Sequence, residues 1–263
     1  MLRRAESLML LFVSVTTLGI CFIVLPIIAL FLLLDPNILA KIYLKDPMFY
    51  VQTQKAFLVT LEASSISTIL LITLGIPIAY LLARYDFIGK SIIEGIIDIP
   101  LMLPHTVAGI MILCAYSGRG LLSALLKALN ITVEDNFWGI VITMMFVSFP
   151  LMVDTIKIGF ESVNPTLELV ARSLGASAFK AFATISLPLA RQSILAGAIL
   201  AWARALSEIG AILVVVYFPK TINVLTLEWL NTYGLKYAIA LSVPLVLLAL
   251  LLFIVFRLMV SKK

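Results

Sequence analysis

Long apolar segments alternate with short polar stretches along the whole chain. Six segments approach the roughly 20 apolar residues that a helix needs to cross a bilayer. They cover residues 8–34, 56–82, 96–116, 137–153, 193–218 and 237–256. The third contains Pro100 and Pro104 near its start, which predicts a non-helical beginning, and the fourth contains Pro150, which predicts a kink or an end. The pattern predicts an all-α membrane protein with six transmembrane helices.

The composition excludes a soluble domain. The 263 residues are 62% hydrophobic and only 13% charged, with a mean hydropathy of +1.15, whereas a soluble domain has about 25% charged residues. The apolar run at the N-terminus is longer than the core of a cleaved signal peptide, so we expect a retained membrane helix. One histidine and two separated cysteines form no metal-binding pattern.

The distribution of Lys and Arg predicts the orientation. Eleven of the nineteen basic residues lie in loops and tails on the side of the termini, seven lie on the other side, and Arg204 lies inside a span. Because cytoplasmic loops carry the excess of basic residues, both termini are expected in the cytoplasm of a multi-pass cell-membrane protein. Turn residues in the loop 35–55 separate an N-terminal part, 1–55, from a five-helix core, 56–257, and a cytoplasmic tail follows at 258–263.

A polar stretch at residues 167–190 separates the fourth and fifth spans. Its first part has helical spacing. Four apolar residues share one face of that helix: Leu167, Val170, Ala171 and Leu174. Gly175 is placed like a helix C-terminal glycine, and Ser177 begins a second short amphipathic run. The residues alone are consistent with a rigid knob of two short helices or with an ordinary amphipathic loop in the membrane interface.

This stretch resembles the EAA loop of ABC-importer permeases. The matching positions are Glu168, Ala171, Gly175, Ile185, Leu187 and Pro188. The two alanines that follow the glutamate in that family are Leu169 and Val170 here. In the family the loop is a coupling helix that sits in a cleft of the partner ATPase. The resemblance therefore implies a coupling loop at 163–190, in which five residues couple the chain to the ATPase: Glu168, Ala171, Arg172, Gly175 and Ala176.

Two further motifs are similar to those of molybdate, tungstate and sulfate permeases. Residues 98–109, DIPLMLPHTVAG, open the third span, and the PHTVAG part is most like archaeal molybdate/tungstate permeases. Residues 202–211, WARALSEIGA, lie in the fifth span. Backbone bent by proline at membrane depth needs protein or water beside it, which favours a pathway. We expect six residues to contribute to that pathway: Pro104, His105, Thr106, Arg204, Ser207 and Glu208.

Three of these residues have alternative interpretations. His105 is a structural hydrogen-bonded residue or a substrate contact, and proton coupling by a lone histidine is a third alternative. Arg204 and Glu208 are spaced i, i+4, so they can pair on one helix face. The pair either joins helices, or it holds Arg204 beside the pathway as a transient site for a passing dianion.

Together the resemblances imply the transmembrane fold of a type I ABC importer. Two copies of the chain would assemble with two ATPase subunits and an extracytoplasmic oxyanion-binding protein. The sequence has no G-x-x-x-x-G-K-[ST] phosphate loop, so ATP and Mg²⁺ are expected on the separate ATPase, with no cofactor and no nucleic acid on this chain. The expected substrate is molybdate or tungstate, with sulfate or thiosulfate as the alternative. A membrane enzyme lacks a recognisable catalytic set here, and a channel working alone would have no use for a coupling loop.

Overall fold

The structure is a computed structural model that describes residues 2–261, with side chains between residues 9 and 254. Met1, Lys262 and Lys263 lie outside the described residues, and so do the side chains of the predicted tail, 258–263. All regular structure within the described residues is helical, with no strand. The predicted all-α fold is confirmed.

The helices follow one another in chain order. They are α1 (Leu2–Leu32), α2 (Pro36–Ala40), α3 (Pro47–Arg84), α4 (Lys90–Met102), α5 (His105–Tyr116), α6 (Ser123–Ala128), α7 (Phe137–Glu161), α8 (Pro165–Ser173), α9 (Ala178–Ala181), α10 (Leu187–Leu189), α11 (Arg191–Leu206), α12 (Gly210–Val215), α13 (Ile222–Tyr233) and α14 (Leu235–Ser261). Two π-helical turns, Lys41–Lys45 and Phe182–Ser186, precede α3 and α10.

Four helices of the described chain are long and apolar enough to cross a membrane: α1, α3, α7 and α14. They correspond to the predicted first, second, fourth and sixth spans. The predicted third span is divided into α4 and α5, and the predicted fifth into α11 and α12. Helix α11 also forms a pair, bent by 68°, with the segment Ala178–Leu189 before it. By length and apolar composition the described chain thus has four candidate spans, or five if the bent pair is counted as one, against six predicted, and the predicted third and fifth segments are broken helices.

The sequence predicts that the helix either kinks or ends at Pro150, and the predicted end is wrong. Helix α7 continues through Pro150 to Glu161, although a proline inside a helix costs about 3 kcal/mol. The reason is burial, because more than half of the most apolar part of α7 is enclosed by other helices. The packing of α7 against its neighbours outweighs the tendency of Pro150 to end a helix.

Small residues let α7 approach its neighbours closely. A Cβ atom added at Gly197 of α11 would lie 3.2 Å from the carbonyl oxygen of Met152, and one added at Gly75 of α3 would lie 3.0 Å from the Met152 side chain. Ala79 and Ala201 are fully buried beside them. Close packing of this kind is a main source of association between helices in lipid. Helix α7 is therefore the centre of the bundle that carries the site.

The chain forms two compact units. One runs to Gln52 and includes Thr226–Leu248, and the other comprises Thr53–Leu225 and the chain from Ala249 onward. In the first unit, aromatic rings pack around Trp229, with Phe49 at a ring-centre distance of 4.9 Å in edge contact. Lys41 donates to the Tyr237 hydroxyl over 3.1 Å. All candidate site residues lie in the second unit.

Candidate functional site

Two breaks in the helices meet in the second unit. Between α4 and α5 the backbone is extended at Leu103 and Pro104, as Pro104 predicts. The predicted non-helical beginning is wrong at Pro100, because α4 continues through that residue to Met102. Between α11 and α12 the helix stops at Leu206 and restarts at Gly210. A Cβ atom added at Gly210 would lie only 2.6 Å from the Cβ atom of His105. Glycine at this position is what allows the second break to touch the first.

Glu208 lies at the centre of the contact between the breaks. Its side chain is fully buried. Oε2 accepts from Arg204 Nη1 over 2.9 Å and lies 3.0 Å from His105 Nδ1. Oε1 accepts from the backbone N–H of Ala211 over 2.8 Å, so the carboxylate also caps the restarted helix. A buried charge is tolerated when it is paired and hydrogen-bonded in this way.

The backbone at the second break is satisfied by a residue that the sequence did not single out. Asn223 Nδ2 donates to the carbonyl oxygen of Leu206 over 2.7 Å and to that of Glu208 over 3.2 Å. A break inside an apolar segment frees carbonyl groups that need donors. The available signal was an amide side chain in the first turn of α13, among the apolar residues Ile222, Val224 and Leu225.

A cavity of about 370 Å³ opens at the two breaks. Its polar lining comes from His105, Arg204, Ser207 and Glu208, and Leu103 and Ile209 are among the apolar lining residues. The side chain of His105 is 54% exposed and that of Arg204 22%. The cavity therefore presents a guanidinium and an imidazole beside one buried carboxylate.

The structure brings together four of the six predicted pathway residues. His105, Arg204, Ser207 and Glu208 line one cavity, while Pro104 forms the break and Thr106 is exposed, neither of them lining it. The predicted pairing of Arg204 with Glu208 is confirmed. The sequence does not predict the contact of His105 with both charges, because 99 residues separate it from Arg204. Whether these residues contact a substrate stays a prediction.

The second candidate site is the predicted coupling loop, residues 163–190. Asn164 caps α8 by accepting from the N–H of Thr166 over 2.9 Å. At its other end Gly175 has φ +94°, and the N–H groups of Gly175 and Ala176 donate back to the carbonyls of Arg172 and Ala171, each over 3.0 Å. This is a Schellman ending, in which glycine is favoured. The predicted glycine corner is confirmed.

Glu168 holds this loop against the end of α3. Its Oε2 accepts from the Tyr80 hydroxyl over 2.7 Å, and its Oε1 accepts from Arg84 Nε over 2.8 Å and from the Ser186 hydroxyl. Only 13% of the Glu168 side chain and 8% of the Arg84 side chain are exposed. Burial raises the pKa of Glu168, but the hydrogen bonds from Ser186, Tyr80 and Arg84 outweigh burial and hold the pKa below its ordinary value.

The rest of the loop presents an apolar surface. Leu174 is 82% exposed and Phe179 77%, and Leu167 and Val170 are also exposed. Among the other predicted coupling residues, Arg172 and Gly175 are exposed, and Ala171 and Ala176 are half-buried. Large apolar side chains exposed together on one short segment are typical of an interaction site. The loop is therefore fixed on its inner side and open on its outer side.

A family model and whole-chain relatives match this sequence. Residues 71–262 match the model described as the binding-protein-dependent transport system inner membrane component. The molybdate/tungstate transport system permease protein of Thermococcus kodakarensis is 40% identical over 262 residues, which cover 99% of each chain. The probable sulfate transport system permease protein of Nephroselmis olivacea is 36% identical over 160 residues, 61% of this chain and 56% of that protein.

The fold also matches a solved structure. A bacterial ABC transporter involved in the import of the acidic polysaccharide alginate has a chain that superposes with a TM-score of 0.71. The sequence identity is 16%, and the match covers 99% of this chain and 98% of that one. At this identity the likeness concerns the fold, which is that of an ABC-importer transmembrane subunit.

Proposed function

We propose that this chain, which belongs to the family of binding-protein-dependent transport system inner membrane components, is the permease subunit of an ATP-driven importer of molybdate or tungstate. The observation that carries the proposal is the 40% identity over 99% of the chain with a molybdate/tungstate permease. The similarity to a sulfate permease spans only 61% of the chain. The sulfate and thiosulfate alternatives are therefore weaker.

The proposed complex contains two copies of this chain and two ATPase subunits. ATP and Mg²⁺ are bound by the ATPase, and an extracytoplasmic oxyanion-binding protein delivers the substrate. Both termini of the chain lie in the cytoplasm, where the excess of Lys and Arg also lies. The permease itself supplies the pathway and the coupling surface.

The coupling surface is the outer side of α8 and of the corner after it. Exposed Leu174 and Phe179 suit a hydrophobic cleft on the ATPase, and Arg172 adds a charged contact at the rim. Small residues leave room for the ATPase to approach this surface closely. They are Ala171, Gly175 and Ala176. Glu168 acts from the inner side, since its bonds to Tyr80 and Arg84 connect any movement of the loop to α3.

The pathway passes the cavity between the two helix breaks. A guanidinium with unused N–H donors and an exposed imidazole can bind an oxyanion by charge-assisted hydrogen bonds. The buried Glu208 neutralises Arg204 and keeps this interaction weak. Weak binding is needed because a translocated ion must leave the site as well as enter it.

The experiment that tests the proposal is ATPase stimulation in the reconstituted complex. The permease, the ATPase and the binding protein are assembled in nanodiscs, and ATP hydrolysis is measured with the binding protein empty, loaded with molybdate, or mixed with sulfate. We expect the molybdate-loaded protein to stimulate hydrolysis severalfold and sulfate to have no effect. Equal stimulation by sulfate would favour the alternative substrate, and no response to any loaded binding protein would contradict the proposal.

A further inference from the structure

The charges in the cavity at the helix breaks nearly cancel. Arg204 contributes one positive charge and Glu208 one negative charge, 2.9 Å apart. From the side of α4 and α5, the lining residues other than His105 are uncharged: Pro100, Leu101 and Leu103. With a neutral imidazole, the cavity therefore offers a dianion no net positive charge.

Glu208 cannot leave the cavity to change this balance. Its side chain is fully buried and receives hydrogen bonds from Arg204 and from the backbone of Ala211, with His105 at 3.0 Å. Moving it away would leave Arg204 without its partner and would remove the cap of α12. Breaking a buried pair on one side is strongly unfavourable. Among the groups that line the cavity, only the third, His105, can therefore add a net positive charge.

His105 is the group that can supply this charge. Its Nδ1 lies 3.0 Å from Glu208 Oε2 and 3.2 Å from Arg204 Nη2, while its Nε2 has no hydrogen bond within the described residues. A neutral imidazole has one N–H donor, and an imidazolium has two. Only the imidazolium can donate to Glu208 through Nδ1 and to an anion in the cavity through Nε2 at the same time.

We propose that the cavity between the helix breaks binds a tetrahedral oxyanion dianion together with one proton, and that His105 holds this proton. The inference rests on the proposed function and adds a regulating group to it. Protonation changes the net charge of the site from zero to +1, and binding of the dianion in turn favours the imidazolium, because linkage between two ligands is reciprocal. The proton is released when the anion leaves.

The size of the cavity is compatible with this ligand. A volume of about 370 Å³ lies within the range of small-molecule sites, about 300–1,000 Å³, which leaves room for a five-atom oxyanion with part of its hydration shell. Ser207, which is exposed beside Arg204, adds a hydroxyl group to the lining. The anion can thus exchange only part of its water for protein contacts, as a transient site requires.

The single histidine makes a direct test available. Because the chain contains one histidine, a permease labelled with ¹³C,¹⁵N-histidine and assembled with unlabelled partners gives one imidazole signal per copy. The affinity tag must contain no histidine. The spectra are recorded at pH 7.5 with and without millimolar molybdate, in the nucleotide-free complex and in one closed with ATP by a hydrolysis-deficient ATPase.

We expect molybdate to increase the imidazolium fraction at least twofold in one of the two states, and sulfate to act in the same direction. An imidazole signal that does not respond to either anion in either state would overturn the proposal. Chloride at the same ionic strength is the control, since a general salt effect would act equally with all three anions.

Transport across pH provides a second test. The ratio of molybdate uptake by the wild-type complex to that by His105→Gln is measured between pH 6 and pH 8, with the same ATPase and binding protein, so that their own pH dependence cancels. We expect the ratio to fall at least threefold as pH rises. A constant ratio would overturn the inference and leave the proposed function intact, whereas no uptake by the wild type at any pH would contradict the proposed function. If the complex with His105→Gln does not assemble, the pH series is repeated with His105→Asn. The spectra of the wild-type permease then remain as the independent test of the inference.

Discussion

Gly175 is the residue on which the shape of the coupling loop depends most directly. Its φ of +94° is costly for a β-branched side chain, and nothing lies within 4 Å of the position where a Cβ atom would be. Gly175→Val should therefore strain the corner by about 1–2 kcal/mol without a clash. We expect loss of the ATPase stimulation that loaded binding protein causes, or loss of assembly with the ATPase.

The matched control for Gly175 is Gly234, which has φ +84° and equally open surroundings. Gly234→Val carries the same backbone strain outside the loop. It should lower the melting temperature similarly and leave stimulation intact. Normal stimulation in Gly175→Val would mean that the corner is not needed for coupling.

Variants of Arg204 and Glu208 distinguish a structural role of this ion pair from a role in the pathway. Arg204→Gln leaves the fully buried charge of Glu208 without its guanidinium partner, so this variant should assemble poorly, with a loss of about 3–5 kcal/mol. Glu208→Gln leaves a partly exposed Arg204, so its loss should be smaller. Removing both charges in Arg204→Gln with Glu208→Gln should restore assembly and basal ATP hydrolysis. Because the guanidinium donors are absent, we expect molybdate uptake to stay at least tenfold below wild type. Wild-type uptake by the double variant would show that the pair only joins helices.

The sequence predicts the local contacts of these residues but not their contacts with distant segments. The spacing of Arg204 and Glu208 predicts their contact, and the position of Gly175 predicts its positive φ, because both are local relations. His105 and Glu208 come from segments about 100 residues apart, so periodicity could not predict that they meet. The same holds for Glu168, whose partners Tyr80 and Arg84 lie on α3.

At the scale of elements, the two broken helices show what determines a break. Pro104 predicts the break between α4 and α5 from its fixed φ and missing N–H. Apolar composition alone predicts one continuous span through 193–218, and it misses the break at Glu208. That break exists because Asn223 satisfies its carbonyls and Glu208 caps the next turn. The reverse case is Pro150, where packing keeps α7 helical.

The anchor of α8 on α3 should depend on the ionisation of Glu168. Since the folded-state pKa of Glu168 lies below its ordinary value of 4.5, the anchor contributes its full stability above that ordinary value. The contribution is lost as pH falls through the lower folded-state value. Glu168→Gln, which removes the charge at every pH, should increase hydrogen exchange of residues 165–176 at pH 7 by about tenfold.

The control for this anchor is Glu161→Gln. Glu161 lies outside α8, at the end of α7, where it pairs with Lys157 over 3.7 Å. It should leave exchange of residues 165–176 unchanged. Exchange in Glu168→Gln that matches the wild type would contradict the assignment of Glu168 as the residue that holds the loop.

At the scale of the whole molecule, the orientation is open to direct measurement. Residues 3–4 and 262–263 are predicted in the cytoplasm and residues 41–45 outside. Single cysteines are introduced in a background without Cys21 and Cys114, and intact cells are treated with an impermeant thiol reagent. We expect labelling at residues 41–45 only. Labelling at residue 263 but not at 45 would reverse the topology and place the coupling loop on the wrong side.

The proposed import of molybdate or tungstate, driven by ATP hydrolysis on a separate ATPase, can be measured as uptake of radioactive molybdate by proteoliposomes. The vesicles contain the permease and the ATPase, and the oxyanion-binding protein is supplied on the external side. We expect uptake that requires ATP, the ATPase and the binding protein together. Tungstate should block this uptake, and a hundredfold excess of sulfate should leave it almost unchanged. Uptake that proceeds without ATP, or that sulfate abolishes while tungstate does not, would contradict the proposal.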